Sequence, residues 1–341
     1  MTKPRVLVSI LNWNGGDGIL ACLESLSKSE FRSFFVVVID NGSVDGSVDR
    51  IRQAFPWATL IRNTENLGFC KGQNQGLRLA AEQGFDFVWV LNDDTLIDPA
   101  ALGKLVAELD ANPTIAMVSP VIVDAKENGG TQYCGTSIDW DSMSFRNWET
   151  VDLALEAQAT EPYGICLWGT ALLVRVSALA KIGHLDELFF AYYEDYDLSL
   201  RAIRSGFQNK IVATARIFHF GEHDSSQRPA YHVYFNTRNR ALLWRKHLPL
   251  LKRPRFWREY LASSLMRASG FDESGDTSKM NATLLAIWDA IRGQGGGFDQ
   301  SRIVSPRVAF LFTAHPYLLA DILRCNFGSI VRRFRKNRAA R

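Results

Sequence analysis

The chain has 341 residues, 47% of them apolar and 22% charged, which is enough for one large core with an appendage or for two domains, and disorder is not indicated. A formal net charge of +3 is small for this length and does not suggest a nucleic-acid partner, although basic residues gather over 238–258 and again over 332–338. The five cysteines (Cys22, Cys70, Cys134, Cys166, Cys325) make no Cys-x-x-Cys pair and no zinc spacing, so buried or free thiols in a reducing compartment are expected.

Residues 6–11 form an apolar run too short for the core of a signal peptide and read as a first strand, closing at Asn12-Trp13-Asn14-Gly15-Gly16. Leu20, Leu23 and Leu26 then keep one apolar helical face. A second buried strand over 34–39 closes at Asp40-Asn41-Gly42-Ser43, with Ser43 the expected N-cap of a helix through Ile51. A strand over 58–61 leads to Asn66-Leu67-Gly68 and a helix over 71–81. Residues 87–91 are apolar without a break and end at Asn92-Asp93-Asp94, as a strand buried on both faces does. A helix opened by Pro99 and a strand over 115–121 follow. Strands separated by helices of this length imply a parallel sheet with right-handed crossovers.

Between 124 and 158 the pattern fails, and loops with antiparallel excursions, part of an acceptor wall, are expected. Order returns with the apolar run 164–174, then an acidic and aromatic stretch over 186–197, a helix stopped by Gly206, and a strand to about 213 leading to His219. Beyond 231 the composition is helical, aromatic and basic, broken at 294–297. No run of about 18 uncharged apolar residues occurs, so no transmembrane helix is expected; the nearest, 308–323, is interrupted by His315, Pro316 and Asp321.

In an open parallel sheet, ligands bind beyond the carboxyl ends of the strands. Here those ends carry Asn12, Asn14, Asp40, Asn66, Asp93 and Asp94. Neighbouring carboxylates repel unless a cation or hydrogen bonds compensate, and hard oxygen ligands suit Mg²⁺ or Mn²⁺, which suit phosphates. The first strand is not followed by Gly-x-Gly-x-x-Gly, and a phosphate loop ending in Gly-Lys-Ser/Thr is nowhere present. The pattern therefore points to a nucleotide whose phosphates are met by a metal.

Five blocks resemble family 2 glycosyltransferases of the GT-A fold, in particular the bacterial rhamnosyltransferase-like branch. They are Val8-Ser9-Ile10-Leu11-Asn12-Trp13-Asn14; Val38-Ile39-Asp40-Asn41-Gly42-Ser43; Asn66-Leu67-Gly68-Phe69 with Gly72-Gln73-Asn74; Leu91-Asn92-Asp93-Asp94; and Gly169-Thr170 through Glu194-Asp195-Tyr196-Asp197. The resemblance implies an α/β fold with a mostly parallel central sheet flanked by helices and a helical C-terminal extension. It implies a catalytic domain over 1–225, divided into a nucleotide-binding half (1–120) and an acceptor half (121–225), with the extension over 226–341.

It also implies roles. Asp40 would hold the donor base, with Asn12, Asn14, Asn41 and Ser43 supporting the pocket; an Asx-turn is the plainer reading of Asp40. Asn66 and Gly68 would form the floor under ribose and diphosphate, or simply cap a helix, and Asn74 belongs to the same donor-binding block. Asp94 would ligate Mg²⁺ or Mn²⁺, Asp93 would contact ribose or sugar, and Asn92 departs from the acidic first position of the family motif, leaving fewer charges on the metal. Asp195 would be the base that activates the acceptor, with Glu194 the alternative, and Asp197 would sit favourably on a helix dipole. His219, with His223 as a weaker substitute, would complete the metal site. Trp168 and Gly169 would line the donor sugar and acceptor, unless 164–169 is only a buried strand. Tyr234, Arg238 and Arg240 would face the diphosphate or an anionic lipid carrier, or else a solvated helix face.

The implied activity is inverting, metal-dependent transfer of a sugar, rhamnose favoured, from a dTDP- or UDP-sugar to a glycan or lipid-linked glycan. The expected location is cytoplasmic, with the basic C-terminal run as the candidate for peripheral contact on the inner face of the cell membrane. Two rivals stand beside it: a nucleotidyltransferase that forms a nucleotide sugar, and a non-catalytic carbohydrate-binding protein on the same fold.

Overall fold

The computed structural model describes residues 4–125, 129–221, 228–305, 307 and 309–310. The chain divides into two compact units, 1–221 and 222–341.

Unit 1 opens with β1 (Val6–Asn12), α1 (Gly16–Ser27), β2 (Phe34–Asp40), α2 (Ser47–Ala54), β3 (Thr59–Arg62), α3 (Gly68–Glu82) and β4 (Phe87–Asn92). A short β5 (Thr95–Ile97), α4 (Ala101–Ala111) and the fully buried β6 (Ile115–Asp124) follow. Next come β7 (Thr131–Tyr133), β8 (Thr136–Asp139), β9 (Ser144–Asn147), α5 (Val151–Thr160), β10 (Ile165–Cys166), β11 (Ala171–Arg175), α6 (Val176–Ile182), α7 (Glu194–Arg204) and β12 (Gln208–His219). Unit 2 is helical: α8 (Ala230–His247), a 3-10 turn (Leu250–Lys252), α9 (Arg253–Glu273) and α10 (Thr277–Arg292).

The main sheet runs β3-β2-β1-β4-β11-β6-β12-β5, with β7 beside β6. β3, β2, β1 and β4 are mutually parallel, as the alternation of strands and helices predicts. Beyond β4 the direction changes. β11 inserts antiparallel between β4 and β6, and β12 is parallel to β6 but antiparallel to β5. Periodicity reports burial and not strand direction, which is why the sequence did not show this reversal.

The apolar run 164–174 is two strands, not one: β10 joins a separate small sheet with β8 and β9, while β11 enters the main sheet. The last strand reaches His219 because an irregularity between Val212 and Arg216 lets β12 continue along β6 and pair with β5. Helix α5 falls in the stretch expected to be loops. It buries only Ala154 and leaves Leu153 and Leu155 exposed, so it carries no apolar stripe to read. Cys22, Cys70, Cys134 and Cys166 are free and buried. Among the described residues, no helix is long and apolar enough to cross a membrane.

Candidate active site

The carboxyl ends of β2, β1 and β4 lie side by side, with Asn12 opposite Asp40 and Leu11 opposite Asn92. Asp40 is wholly buried, and its carboxylate is well supplied. Asn12 Nδ2 donates to Oδ1 at 2.8 Å, the Ser43 N–H donates to Oδ2 at 3.2 Å, and Arg62 Nε lies 3.6 Å from Oδ2. Asn14 knits two loops together: its N–H donates to Ser43 Oγ (2.9 Å) and its Oδ1 accepts from the Val44 N–H (2.9 Å). Asn41 holds the next turn, donating to Gly68 O (3.1 Å) and accepting from Asn63 Nδ2 (2.9 Å).

Asp93 and Asp94 form the turn between β4 and β5. Asp93 leans towards the β1–α1 loop, so closely that a Cβ on Gly15 would stand 2.6 Å from its Oδ2. Burial, and then the charge of Asp94, push Asp93 up to about 7.

Asp94 faces His219 across the β5–β12 pairing, where the Phe220 N–H donates to Asp94 O at 3.1 Å. His219 Nδ1 lies 2.8 Å from Gln132 Oε1, which leaves the ring's Nε2 turned the other way. That nitrogen lies 3.2 Å from Asp94 Oδ1, which is buried and has no hydrogen-bond partner. A carboxylate oxygen and an imidazole nitrogen thus face each other, with the imidazole oriented from behind by an amide, as metal-ligating histidines are. This donor pair fits a divalent cation. Among the described residues, no cluster of three or more His, Cys, Asp or Glu side chains forms a ready-made metal site. A cation held by few protein ligands draws the rest from substrate phosphates and water.

On the other side of β4, the Asn92 N–H donates to Thr170 O at 2.9 Å, which ties the strand end to Gly169-Thr170. The Gly169 N–H in turn donates to Asp195 Oδ2 at 3.0 Å, and the Tyr196 N–H to Asp195 Oδ1 at 2.7 Å. Burial raises the Asp195 carboxyl to about 6, and these two N–H donors hold it below what burial alone would give. Its neighbour Glu194 is buried with Oε2 unpartnered; burial, and then the charge of Asp195, push it well above the usual carboxylate range. Asp197 is wholly buried in the first turn of α7, as the dipole argument expects, and Arg201 Nε also holds it at 2.8 Å.

An aromatic wall stands beside Asp195. Trp168 stacks on Tyr133 with ring centroids 4.1 Å apart and donates from Nε1 to Tyr196 Oη at 2.9 Å; Phe145 stacks on Tyr196 at 4.1 Å. The backbone that leads into α7 is strained: Phe190, Tyr192 and Tyr193 all have positive φ (66°, 67° and 74°). Phe190 is pinned at both ends of its residue. Its carbonyl accepts from the Cys70 N–H at 3.0 Å, and its ring fills the space over Gly68, where a Cβ would come within 2.6 Å. Gly68 itself has φ of +83°, so glycine is required there twice over.

Several expectations need correction. Ser43 does not cap a helix: α2 starts at Ser47, where Asp45 Oδ1 accepts the Ser47 N–H (3.0 Å), and the Ser43 hydroxyl serves Asn12 and Asn14. Asn66 Oδ1 accepts the Gly68 N–H (2.9 Å) just ahead of α3, which leaves its expected place under the donor open. Asn74 is buried, and its amide donates to Leu185 O and Glu187 Oε1 and accepts from the Leu185 N–H. Tyr234 and Arg238 lie on no solvated face. Both are buried in unit 2, where Arg238 donates to Tyr234 Oη (3.1 Å) and Gly296 O (2.6 Å); Arg240 is half-buried. His223 and the run 332–338 lie outside the described residues. Gln132, Tyr133, Phe145, Phe190 and Tyr196 were not singled out from the sequence. Gln132, Tyr133 and Phe145 lie in the stretch without periodicity; Tyr196 had a signal, its place between Asp195 and Asp197.

Several known proteins resemble this chain. A family model described as glycosyl transferase family 2 matches residues 7–183. N-acetylglucosaminyl-diphospho-decaprenol L-rhamnosyltransferase of Mycobacterium tuberculosis is 28% identical over 251 residues, covering 68% of this chain and 81% of that one. The dTDP-rhamnosyl transferase RfbF of Shigella flexneri is 24% identical over 282 residues, covering 80% and 91%. Among solved structures, the mannosyltransferase PcManGT of Pyrobaculum calidifontis, in complex with GDP-Man and Mn²⁺, superposes with a TM-score of 0.54 at 17% identity over 95% of this chain and 83% of that one. That likeness speaks for the GT-A fold alone.

Proposed function

The chain belongs to glycosyl transferase family 2, and from that premise we propose that it is an inverting, divalent-metal-dependent enzyme. It would move rhamnose from a dTDP- or UDP-sugar to a glycan or lipid-linked glycan. The donor sugar and acceptor class follow the named relatives, one a dTDP-rhamnosyl transferase and one acting on an N-acetylglucosaminyl-diphospho-decaprenol. Family membership tells against both a nucleotidyltransferase and a non-catalytic carbohydrate-binding protein.

The observation that carries the reading is the state of Asp195. It is a partly exposed carboxylate raised to about 6 and aimed by two backbone N–H groups, so at neutral pH it is ionised yet basic enough to take a proton. Burial pushes Glu194 well above the usual carboxylate range, which favours Asp195 over it as the base. Asp195 takes the acceptor hydroxyl's proton as that oxygen attacks the anomeric carbon from the face opposite the departing diphosphate. The aromatic wall of Trp168, Tyr196 and Phe145 offers ring faces to a sugar beside that carboxylate.

On the donor side, Asp40 and its ring of amides hold the base, and half-exposed Trp13 presents a face for stacking. Asp93, raised to about 7, suits a hydrogen bond to a ribose or sugar hydroxyl. Asp94 and His219 would hold Mg²⁺ or Mn²⁺, which when bound balances the charge of the departing diphosphate.

A panel of nucleotide sugars tests the proposal, read as released nucleoside diphosphate with a glycan or lipid-linked acceptor present. The expected result is fastest turnover of dTDP-rhamnose in Mn²⁺ or Mg²⁺ and loss of turnover with EDTA. Turnover untouched by EDTA removes the metal from the account, and a folded protein inert to every donor removes the activity.

A further inference from the structure

The junction of α8 and α9 exposes two leucines in a stretch without acidic residues. No Asp or Glu occurs between Pro229 and Arg258. After α8 ends at His247, Leu248 and Pro249 run extended, and the 3-10 turn over Leu250–Lys252 leads into Arg253 and Pro254 of α9. This junction is firmly tied. The Leu248 N–H donates to Trp244 O (2.8 Å), the Lys252 N–H to Pro249 O (3.0 Å), and Arg253 Nε to Leu248 O (3.2 Å). Trp244, Leu248 and Phe256 are buried beneath it, with the Trp244 and Phe256 rings 6.4 Å apart. Yet Leu250 is 73% exposed and Leu251 95% exposed.

An elbow that buries three large apolar side chains and turns two leucines outward presents a raised apolar tip. Its collar is mostly basic: Arg245, Lys246, Arg255 and Arg258 are exposed, Lys252 ends the turn and Arg253 opens α9, with half-buried Glu259 following Arg258. An apolar tip ringed by cations is complementary to a bilayer with anionic headgroups, where leucines enter the acyl boundary and the cations meet phosphates. A nucleic acid would use the charges and leave the leucines in water. An apolar groove on a protein would take the leucines and leave a collar of like charge against its rim.

We propose that the α8–α9 elbow is a docking tip for an anionic phospholipid surface, with Leu250 and Leu251 as the inserted residues and Arg245 and Arg255 as the headgroup contacts. Either signal alone gives weak, reversible attachment; the two together give stable attachment. The attachment weakens with salt, because the charge component is screened, and keeps a residue that the leucines supply.

The test is co-sedimentation of the full chain with vesicles of mixed phosphatidylglycerol and phosphatidylcholine, and with vesicles of phosphatidylcholine alone. The wild type should bind the anionic vesicles and lose binding as salt rises. The double variant Leu250→Ser/Leu251→Ser should bind them roughly tenfold or more weakly, since it removes most of the inserted apolar area. Arg245→Gln/Arg255→Gln should weaken binding several-fold and flatten its salt dependence. Both variants should keep the wild-type melting temperature, because every group changed is exposed. Three results would each overturn the proposal: a leucine variant that binds like the wild type, a wild type with no preference for anionic lipid, or a wild type that binds no vesicle. So would a dimer in analytical ultracentrifugation that the leucine variant abolishes while lipid binding is unchanged, since that assigns the tip to a second copy of the chain. The readout is lipid partition and not sugar transfer, so it fails or holds separately from the catalytic reading.

Discussion

Two buried acidic sites, one in each unit, are built on opposite plans. In unit 2, Asp289 is wholly buried and its two oxygens are fully served. Tyr234 Oη donates to Oδ2 at 2.6 Å, and Arg302 closes on both oxygens at 3.0 and 2.8 Å. In unit 1, Asp94 Oδ1 and Glu194 Oε2 are buried with no hydrogen-bond partner, and Asp195 is pushed up to about 6. Complete satisfaction is what a fold needs of a buried charge, and leaving a carboxylate short of donors costs stability. On the proposed reading the unit 1 carboxylates have another use: a cation would sit at Asp94, and a proton would pass to Asp195. The difference separates structural acids from chemical ones without reference to their positions in the sequence.

The comparison can be broken in four places, taken from the largest expected effect to the smallest. Asp289→Ala leaves Arg302 and Tyr234 without their acceptor and should cost about 3–5 kcal/mol of stability, read by denaturant unfolding. A loss below about 1 kcal/mol would mean that the Asp289 network is not structural in the sense argued. Asp94→Ala should do the reverse. Turnover should fall about a hundredfold, equivalent to about 2.7 kcal/mol of barrier, with unfolding unchanged within about 0.5 kcal/mol. Full activity in that variant would remove Asp94 from the metal site.

Gly68→Ala forces a Cβ into the Phe190 ring at positive φ and should cost about 1–2 kcal/mol. If the strained run from Phe190 to Tyr193 sets the approach to Asp195, its turnover should fall further than its stability. Glu194→Gln has the smallest effect, and it is a gain. A carboxyl raised in the folded state resists ionising there, so the wild type loses stability as pH rises above the ordinary value of 4.5. The glutamine variant avoids that loss. Its advantage should be absent below about pH 4.5 and should grow as pH rises towards neutrality. A destabilised Glu194→Gln at neutral pH would mean that Oε2 is in fact paired.

Much of this was legible in the sequence. The strands β2 and β4 are apolar without a break, and β1 is interrupted only by buried Ser9; each stops at an Asn or Asp, so the edge and its polar residues could be found together. Roles were harder to read than places. Asn74 sits four residues beyond Cys70 in the block that also carries Gly68, yet its amide holds the 185–187 loop, and a buried strut and a cleft amide are the same letter in a sequence. Arg238 and Tyr234 read as surface groups because isolated cations usually are; the acceptors that bury them, Asp289 and Gly296, lie more than fifty residues away. Gln132 pairs with His219 Nδ1 from a stretch with no periodicity, and only three-dimensional pairing reveals it. The reversal of β11, which brings Gly169 to Asp195, is equally invisible to hydrophobic pattern.

The account rests on Asp195 as the group that accepts the acceptor's proton, and the pH dependence of turnover in the wild type and in Asp195→Asn tests this most directly. A base must be ionised to work, so wild-type turnover should hold at neutral pH and fall as pH drops through about 6, where Asp195 takes up its proton. Asp195→Asn should lose about 10²–10⁴-fold in turnover at every pH, with donor binding and melting temperature preserved. A variant that turns over at near the wild-type rate, with the same acidic limb, would contradict the assignment and return the proton to another group.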